Sequence, residues 1–145
     1  GKAEIVRFGA DITVISYGST LRVVLEAAAE LEKLGIDIEV IDPQTILPFD
    51  EEQVCVQSLA KTNKLLVVDE DVPGGASAYI LQQVVEVQKG YYHLDAQPRT
   101  LSAKAHRPPY GSDGDYFTKP SVDDIIEKVY EIFYEESPAK FPKLL

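Results

Sequence analysis

Apolar residues fall into short runs and helical stripes that alternate along the chain. The run Ile12-Thr13-Val14-Ile15-Ser16-Tyr17 is β-branched and nearly unbroken, which predicts a central strand. After Gly18-Ser19-Thr20 the spacing changes to Leu21, Val24, Leu25, Ala28 and Leu31. That spacing predicts a helix capped by Ser19 or Thr20 and stopped at Gly35. Ile36 to Ile41 predicts a second parallel-type strand ending at Asp42-Pro43, so this stretch has the length of a strand–helix–strand crossover unit. Gln44 to Phe49 is a connector over the sheet rim. Asp50 is the expected cap of a helix reaching about Lys61, with Glu51 and Glu52 in its first turn, where the helix dipole favours carboxylates.

Leu65-Leu66-Val67-Val68 predicts another buried strand. It runs into Asp69-Glu70-Asp71 and then Gly74-Gly75, where the chain turns into a helix predicted over 77–88. Segment 91–98 is expected to be irregular and 99–103 a last short strand. Ahead of all these, residues 3–7 form an alternating edge strand. The stretch 104–119 is rich in Pro, Gly and Asp and is expected to be a structured loop, functional or partner-facing, rather than an element. Ser121 caps a terminal helix, with Asp124 in a variant capping box and an apolar stripe through Val122, Ile125, Ile126, Val129, Ile132 and Phe133. The tail carries Phe141, Leu144 and Leu145 and is expected to dock on a neighbour. Together these elements predict one α/β domain over 1–145.

Charge narrows the function classes. The 24 acidic residues outnumber the 14 basic ones, giving a formal net charge of −10. Such a field repels phosphate, so nucleic acid and anionic membrane surfaces are poor partners, and a basic partner fits better. No apolar run approaches the length of a membrane span. The single cysteine, Cys55, lies in an apolar helical stretch and suits a reducing, cytoplasmic compartment. The start Gly1-Lys2-Ala3-Glu4 has no signal-peptide pattern, and the chain contains no Met. An excised piece of a longer protein is therefore expected.

No complete catalytic set stands out. Gly74-Gly75 before a helix could hold an anion, but the acids just before it oppose one, and neither a Gly-x-Gly-x-x-Gly nor a Walker lysine is present. Gly18-Ser19-Thr20 lacks the flanking glycine of a nucleophile turn. His93 and His106 have no ligand partner at zinc spacing. His106-Arg107 could meet a substrate, an anion or a carboxylate, although a surface or structural histidine is the simpler reading. Asp69, Glu70 and Asp71 could be general acid–base groups, but acidic strand ends are usually solvated or paired. Gly111-Ser112-Asp113-Gly114-Asp115 is a turn cluster without the acidic twelfth position of a calcium loop.

Four segments carry a resemblance to a known family. Asp11 to Ser19 resembles the opening strand of the transketolase C-terminal domain, and more closely that of the beta subunit of thiamine-dependent 2-oxo acid dehydrogenases of the pyruvate and branched-chain types. Ile36 to Asp50 is similar to that family's segment through Asp42, Thr45, Leu47, Pro48 and Asp50. Leu66 to Gly75 resembles its Val-Val-Asp-Glu-Asp-x-x-x-Gly-Gly signature, and Pro120 to Ile126 also fits. The chain departs from the family at Pro43-Gln44 and over Lys104 to Tyr110.

The resemblance implies a three-layer α/β/α sandwich with a five-stranded, mostly parallel sheet whose first strand is antiparallel. It implies a dimerisation and partner-docking domain with no catalytic, cofactor-binding or metal residues of its own. Thiamine diphosphate and magnesium would be held elsewhere in the parent, a homodimer or heterotetramer that serves a lipoyl acyltransferase core. A transketolase or deoxyxylulose-phosphate synthase is the looser match. The residues expected at partner or subunit interfaces are Ser19, Asp42, Glu70, Asp71, Gly74, Gly75, Asp95, His106 and Arg107.

Overall fold

The computed structural model describes residues 1–106 and 116–142. Five strands form one sheet: β1 (Glu4–Arg7), β2 (Ile12–Ser16), β3 (Ile38–Asp42), β4 (Leu65–Val68) and β5 (Arg99–Leu101), in the order β1-β3-β2-β4-β5. Only β1 runs antiparallel to its neighbour; β2, β3, β4 and β5 are mutually parallel. The mixed sheet with an antiparallel first strand is the one the resemblance implies.

Helices cover both faces. α1 (Ser19–Glu32) and α4 (Val122–Glu136) pack over one face, around Val14, Val40, Leu66 and Val68. α2 (Val54–Thr62) and α3 (Ala76–Gln82) pack over the other, around Ile15, Ile41, Leu65 and Val67. Because alternate strand residues point to opposite faces, two-sided burial fits the unbroken apolar run of β4 and the nearly unbroken one of β2, where Thr13 and Ser16 are buried polar members. Every residue of those two strands is buried.

Several elements differ from the sequence expectation. Neither Ser19 nor Thr20 caps α1: the helix begins at Ser19, the residue before it is Gly18 at φ 63°, and no side chain caps the end. Asp50 does serve α2, but from further back. Its carboxylate accepts from the amides of Val54 and Cys55, while Glu51 and Glu52 stand in the turn before the helix. The predicted helix over 77–88 is α-helical only to Gln82 and then widens into a π turn at Gln83–Val87.

The stretch expected to be a loop holds two strands, β6 (Lys104–His106) and β7 (Tyr116–Thr118), paired antiparallel. Each is only three residues long, too short for a periodic signal, and Pro, Gly and Asp make up most of the sequence between them. Ser121 and Asp124 form the capping box as read: each side chain accepts from the other's backbone amide, at 3.1 and 2.9 Å.

The tail also differs. Phe141 packs in cis against Phe133 and Tyr130, with ring centroids 5.3 and 5.9 Å away, and the Tyr130 hydroxyl donates to the Pro142 carbonyl at 2.7 Å. Leu144 and Leu145 lie outside the described residues. Phe141→Ala is expected to destabilise the domain by about 3 kcal/mol, the usual cost of emptying a buried aromatic site. Urea denaturation followed by circular dichroism checks this. An unchanged midpoint would show that the segment adds nothing to the core.

Candidate functional site

β2 lies at the centre of the sheet. Its crossover through α1 leads to β3 on one side, and the next crossover, through α2, leads back to β4 on the other. Ligands and partners of open α/β sheets gather at such a switch point, beyond the carboxyl ends of the strands. Here that point is the rim formed by Ser16 to Ser19 and Val68 to Ser77, with Ser16 paired in register to Val68.

The acids of the rim have separate tasks. Asp69 is fully buried, and its carboxylate gathers three donors from three segments: the Tyr17 hydroxyl at 2.6 Å, the Asp71 amide at 3.0 Å and the Ser77 amide at 3.0 Å. A buried carboxylate needs such donors to offset lost hydration. The Asp69 carboxylate thereby fixes the end of β2, the turn after β4 and the first turn of α3 in one arrangement. Burial pushes the Tyr17 hydroxyl well above the ordinary tyrosine range, and the Asp69 acceptor pushes it further. Tyr17 is therefore a neutral donor.

Glu70 turns outward. It accepts from the Ser19 hydroxyl at 2.5 Å and pairs with the Lys119 ammonium at 3.2 Å. The Ser19 hydrogen bond, followed by Lys119, holds its carboxyl below the ordinary glutamate value. Asp71 is exposed and accepts from the Val72 amide at 2.8 Å, while its own carbonyl accepts from the Ala103 amide at 2.9 Å. The segment that holds β6 and β7 thus leaves the rim at Ala103 and returns at Lys119, tied to the β4 turn at both ends.

The two glycines have different reasons. Gly74 sits at φ 87°, in the left-handed region that L side chains rarely adopt. A Cβ on Gly75 would run into the Asp71 carboxylate. Both therefore shape the turn.

The sequence candidates do not all meet. Ser19, Glu70, Asp71, Gly74 and Gly75 share the switch-point rim. Asp42 ends β3 on the same rim, on the other side of β2, where its carboxylate accepts from the Gln44 amide at 2.9 Å. Asp95 lies at the opposite rim, paired with Lys64 just before β4. His106 ends β6 in register with Tyr116, and Arg107 lies outside the described residues.

Sequence reasoning missed Tyr17, Ser77 and Lys119. Only Tyr17 carried a signal: an aromatic that closes a buried strand needs a partner for its hydroxyl. Among the described residues, no three His, Cys, Asp or Glu side chains are grouped to hold a metal ion, and no helix is long and apolar enough to cross a membrane.

Comparison with known proteins agrees with this architecture. Residues 1–125 match the family model described as transketolase, C-terminal domain. The chain is 35% identical over 135 residues to the pyruvate dehydrogenase E1 component subunit beta of Rhizobium meliloti (strain 1021), covering 93% of this chain and 29% of that protein. It is also 35% identical over 135 residues to the acetoin:2,6-dichlorophenolindophenol oxidoreductase subunit beta of Bacillus subtilis (strain 168), covering 93% of this chain and 39% of the relative. The chain thus spans well under half the length of these relatives. Among solved structures, a split gene transketolase, described as an inactive beta4 tetramer, superposes with a TM-score of 0.66 at 20% identity over 90% of this chain and 41% of that one. At that identity the likeness establishes the fold alone.

Proposed function

We propose, since this chain belongs to the transketolase C-terminal domain family, that it is the dimerisation and partner-docking domain of a thiamine diphosphate-dependent 2-oxo acid dehydrogenase. The parent would oxidatively decarboxylate a 2-oxo acid and acylate the lipoyl group of an acyltransferase core, in the cytoplasm. Relatives that are beta subunits of pyruvate dehydrogenase and of an acetoin oxidoreductase support this class of reaction.

The observation that carries the docking role is the commitment of the switch-point rim. Its buried acid is saturated by Tyr17 and two amides, and its outward acid is held by Ser19 and Lys119. A rim wired in this way presents a fixed shape rather than free chemical groups. The chain also begins there. The Gly1 amino group donates to the Thr45 hydroxyl at 2.6 Å, and the Gly1 carbonyl accepts from the Glu51 amide at 2.8 Å. Because β1 is antiparallel, its first residue lies beside the end of β3 at this rim. Exposed Leu47 and Val72 lie on its connector and turn, and they offer apolar contact to a docking partner.

The residues of the rim do not fit a diphosphate with magnesium. The Glu70 carboxylate stands against the start of α1, and Asp71 crowds the Gly75 turn before α3. A phosphate there would face fixed negative charge at both helix ends. Cofactor binding is therefore assigned to the rest of the parent. Calorimetric titration of the chain with magnesium and thiamine diphosphate checks this assignment. No saturable heat is expected, and stoichiometric binding would overturn the assignment.

A further inference from the structure

Lys61 is the one lysine among the described residues whose reachable ammonium neutralises a buried carboxylate. It lies near the end of α2 with its side chain 49% exposed, and its ammonium bonds at 2.5 Å to Glu39 of β3, which is 1% exposed. The Gly9 amide donates to the same carboxylate oxygen at 3.2 Å. Among the described residues no second cation reaches Glu39. The Thr13 hydroxyl, on the same face of the sheet, is already bonded to those of Ser58 and Thr62.

The other paired lysines differ in one respect or the other. Lys33, Lys104, Lys119 and Lys128 pair with carboxylates that water can reach. Lys64 is only 7% exposed, so a dissolved reagent does not meet its nitrogen in the folded chain. Lys61 alone joins access from solvent to a consequence in the core.

Acylation of a lysine removes its charge and its role as a salt-bridge donor. At the exposed pairs water takes over from the lost cation at little cost. At Lys61 the same change strands a buried carboxylate, which is strongly destabilising, and burial then favours the protonated acid.

We propose that Lys61 is a modification site, the acceptor of an activated acyl group carried as a thioester, and that acylation there loosens the fold from its surface. The lysine nitrogen attacks the thioester carbonyl, a C–N bond forms and the C–S bond breaks. Of the two protons the ammonium gives up, one goes to the departing thiolate and the other to the Glu39 carboxylate. The ion pair becomes a neutral amide beside a neutral acid, and nothing is oxidised or reduced. The site is independent of the docking role and lies at neither the switch-point rim nor Asp95.

Access is tested by incubating the chain with acetyl-coenzyme A and mapping the acetylated lysines by mass spectrometry. Lys61 and Lys33 are expected to be acetylated in the folded chain, and Lys64 only after urea is added. A Lys61 as unreactive as Lys64 would overturn the site.

The consequence is tested by installing Nε-acetyl-lysine in place of Lys61 or, as a control, of Lys33. Urea denaturation should show the unfolding equilibrium constant raised about a hundredfold by the first, as for a broken buried pair, and less than about threefold by the second. Glu39→Gln should remove most of the penalty at Lys61, because a carboxamide needs no cation. Lys61→Arg keeps the charge, and its stability should be unchanged by acetyl-coenzyme A treatment. Equal effects at Lys61 and Lys33, or a penalty at Lys61 that persists in Glu39→Gln, would overturn the proposal. If the chain acetylated at Lys61 does not fold, recovery of folding by Glu39→Gln supports the proposal and failure to recover overturns it.

Discussion

Replacing Asp69 with Ala is expected to lower the stability of the domain by about 3–5 kcal/mol, because three donors around a buried carboxylate, the Ser77 amide among them fully buried, lose their acceptor at once. Those donors are the Tyr17 hydroxyl and the Asp71 and Ser77 amides. Water cannot replace the carboxylate without opening the rim, since Asp69 and Ser77 are both buried. Tyr17→Phe removes one donor and leaves the carboxylate its two amides, so its cost should be about 1–2 kcal/mol. Asp69→Asn should fall between the two, because an amide can accept from only some of the same groups. Chemical denaturation of the three variants orders them. If Asp69→Ala cost no more than Tyr17→Phe, the carboxylate would not be what unites the three segments.

The second large effect is expected at Glu39, on the opposite side of the core from α4. Its side chain is 1% exposed in β3, where one oxygen takes the Lys61 ammonium at 2.5 Å and the Gly9 amide at 3.2 Å. Beside it the Thr13 hydroxyl lies 2.7 Å from those of both Ser58 and Thr62. Lys61→Met would leave a buried carboxylate without its cation, at a cost of about 3–5 kcal/mol. Adding Glu39→Gln should recover most of that loss, and the double-mutant cycle isolates the pair.

The dependence on pH gives an independent sign. Burial alone would raise the Glu39 pKa, but Lys61, Ser58 and Gly9 together bring it below its ordinary value of 4.5. A depressed folded-state pKa gives stability that is present above that value and is lost as pH falls through the folded pKa. In Lys61→Met the dominant lowering partner is gone and burial prevails, so acidification through the same window should narrow the gap between variant and original. A gap that stays constant between neutral pH and pH values below 4.5 would contradict the pairing.

The order of strands and helices was legible because local pattern determines it. Two-sided burial shows as the unbroken apolar run of β4 and the nearly unbroken one of β2, and the capping box of α4 joins residues only three positions apart. The family signature also located the rim. What escaped depends on contacts between residues far apart in the chain. Tyr17 meets Asp69 across 52 positions, and Lys64 meets Asp95 across 31. Glu39 is a polar interruption in an apolar strand, and its partner Lys61 lies 22 residues on. The acidic triplet shows the same limit. Sequence marks three neighbouring carboxylates as equivalent, whereas the alternation of backbone direction buries Asp69, pairs Glu70 with two other segments and leaves Asp71 to close its own turn. The strands β6 and β7 were missed for a different reason: neither is long enough to show a period.

Hydrogen exchange of the chain alone and within its full parent assembly tests the joining role of the switch-point rim most directly. The amides of residues 18–20, 70–72, 74 and 75 should exchange at least about tenfold more slowly in the assembly, the protection expected when a surface turn is covered by a packed neighbour. Unchanged exchange at these amides, with new protection confined to the opposite rim around Asp95 and Glu136, would contradict the account.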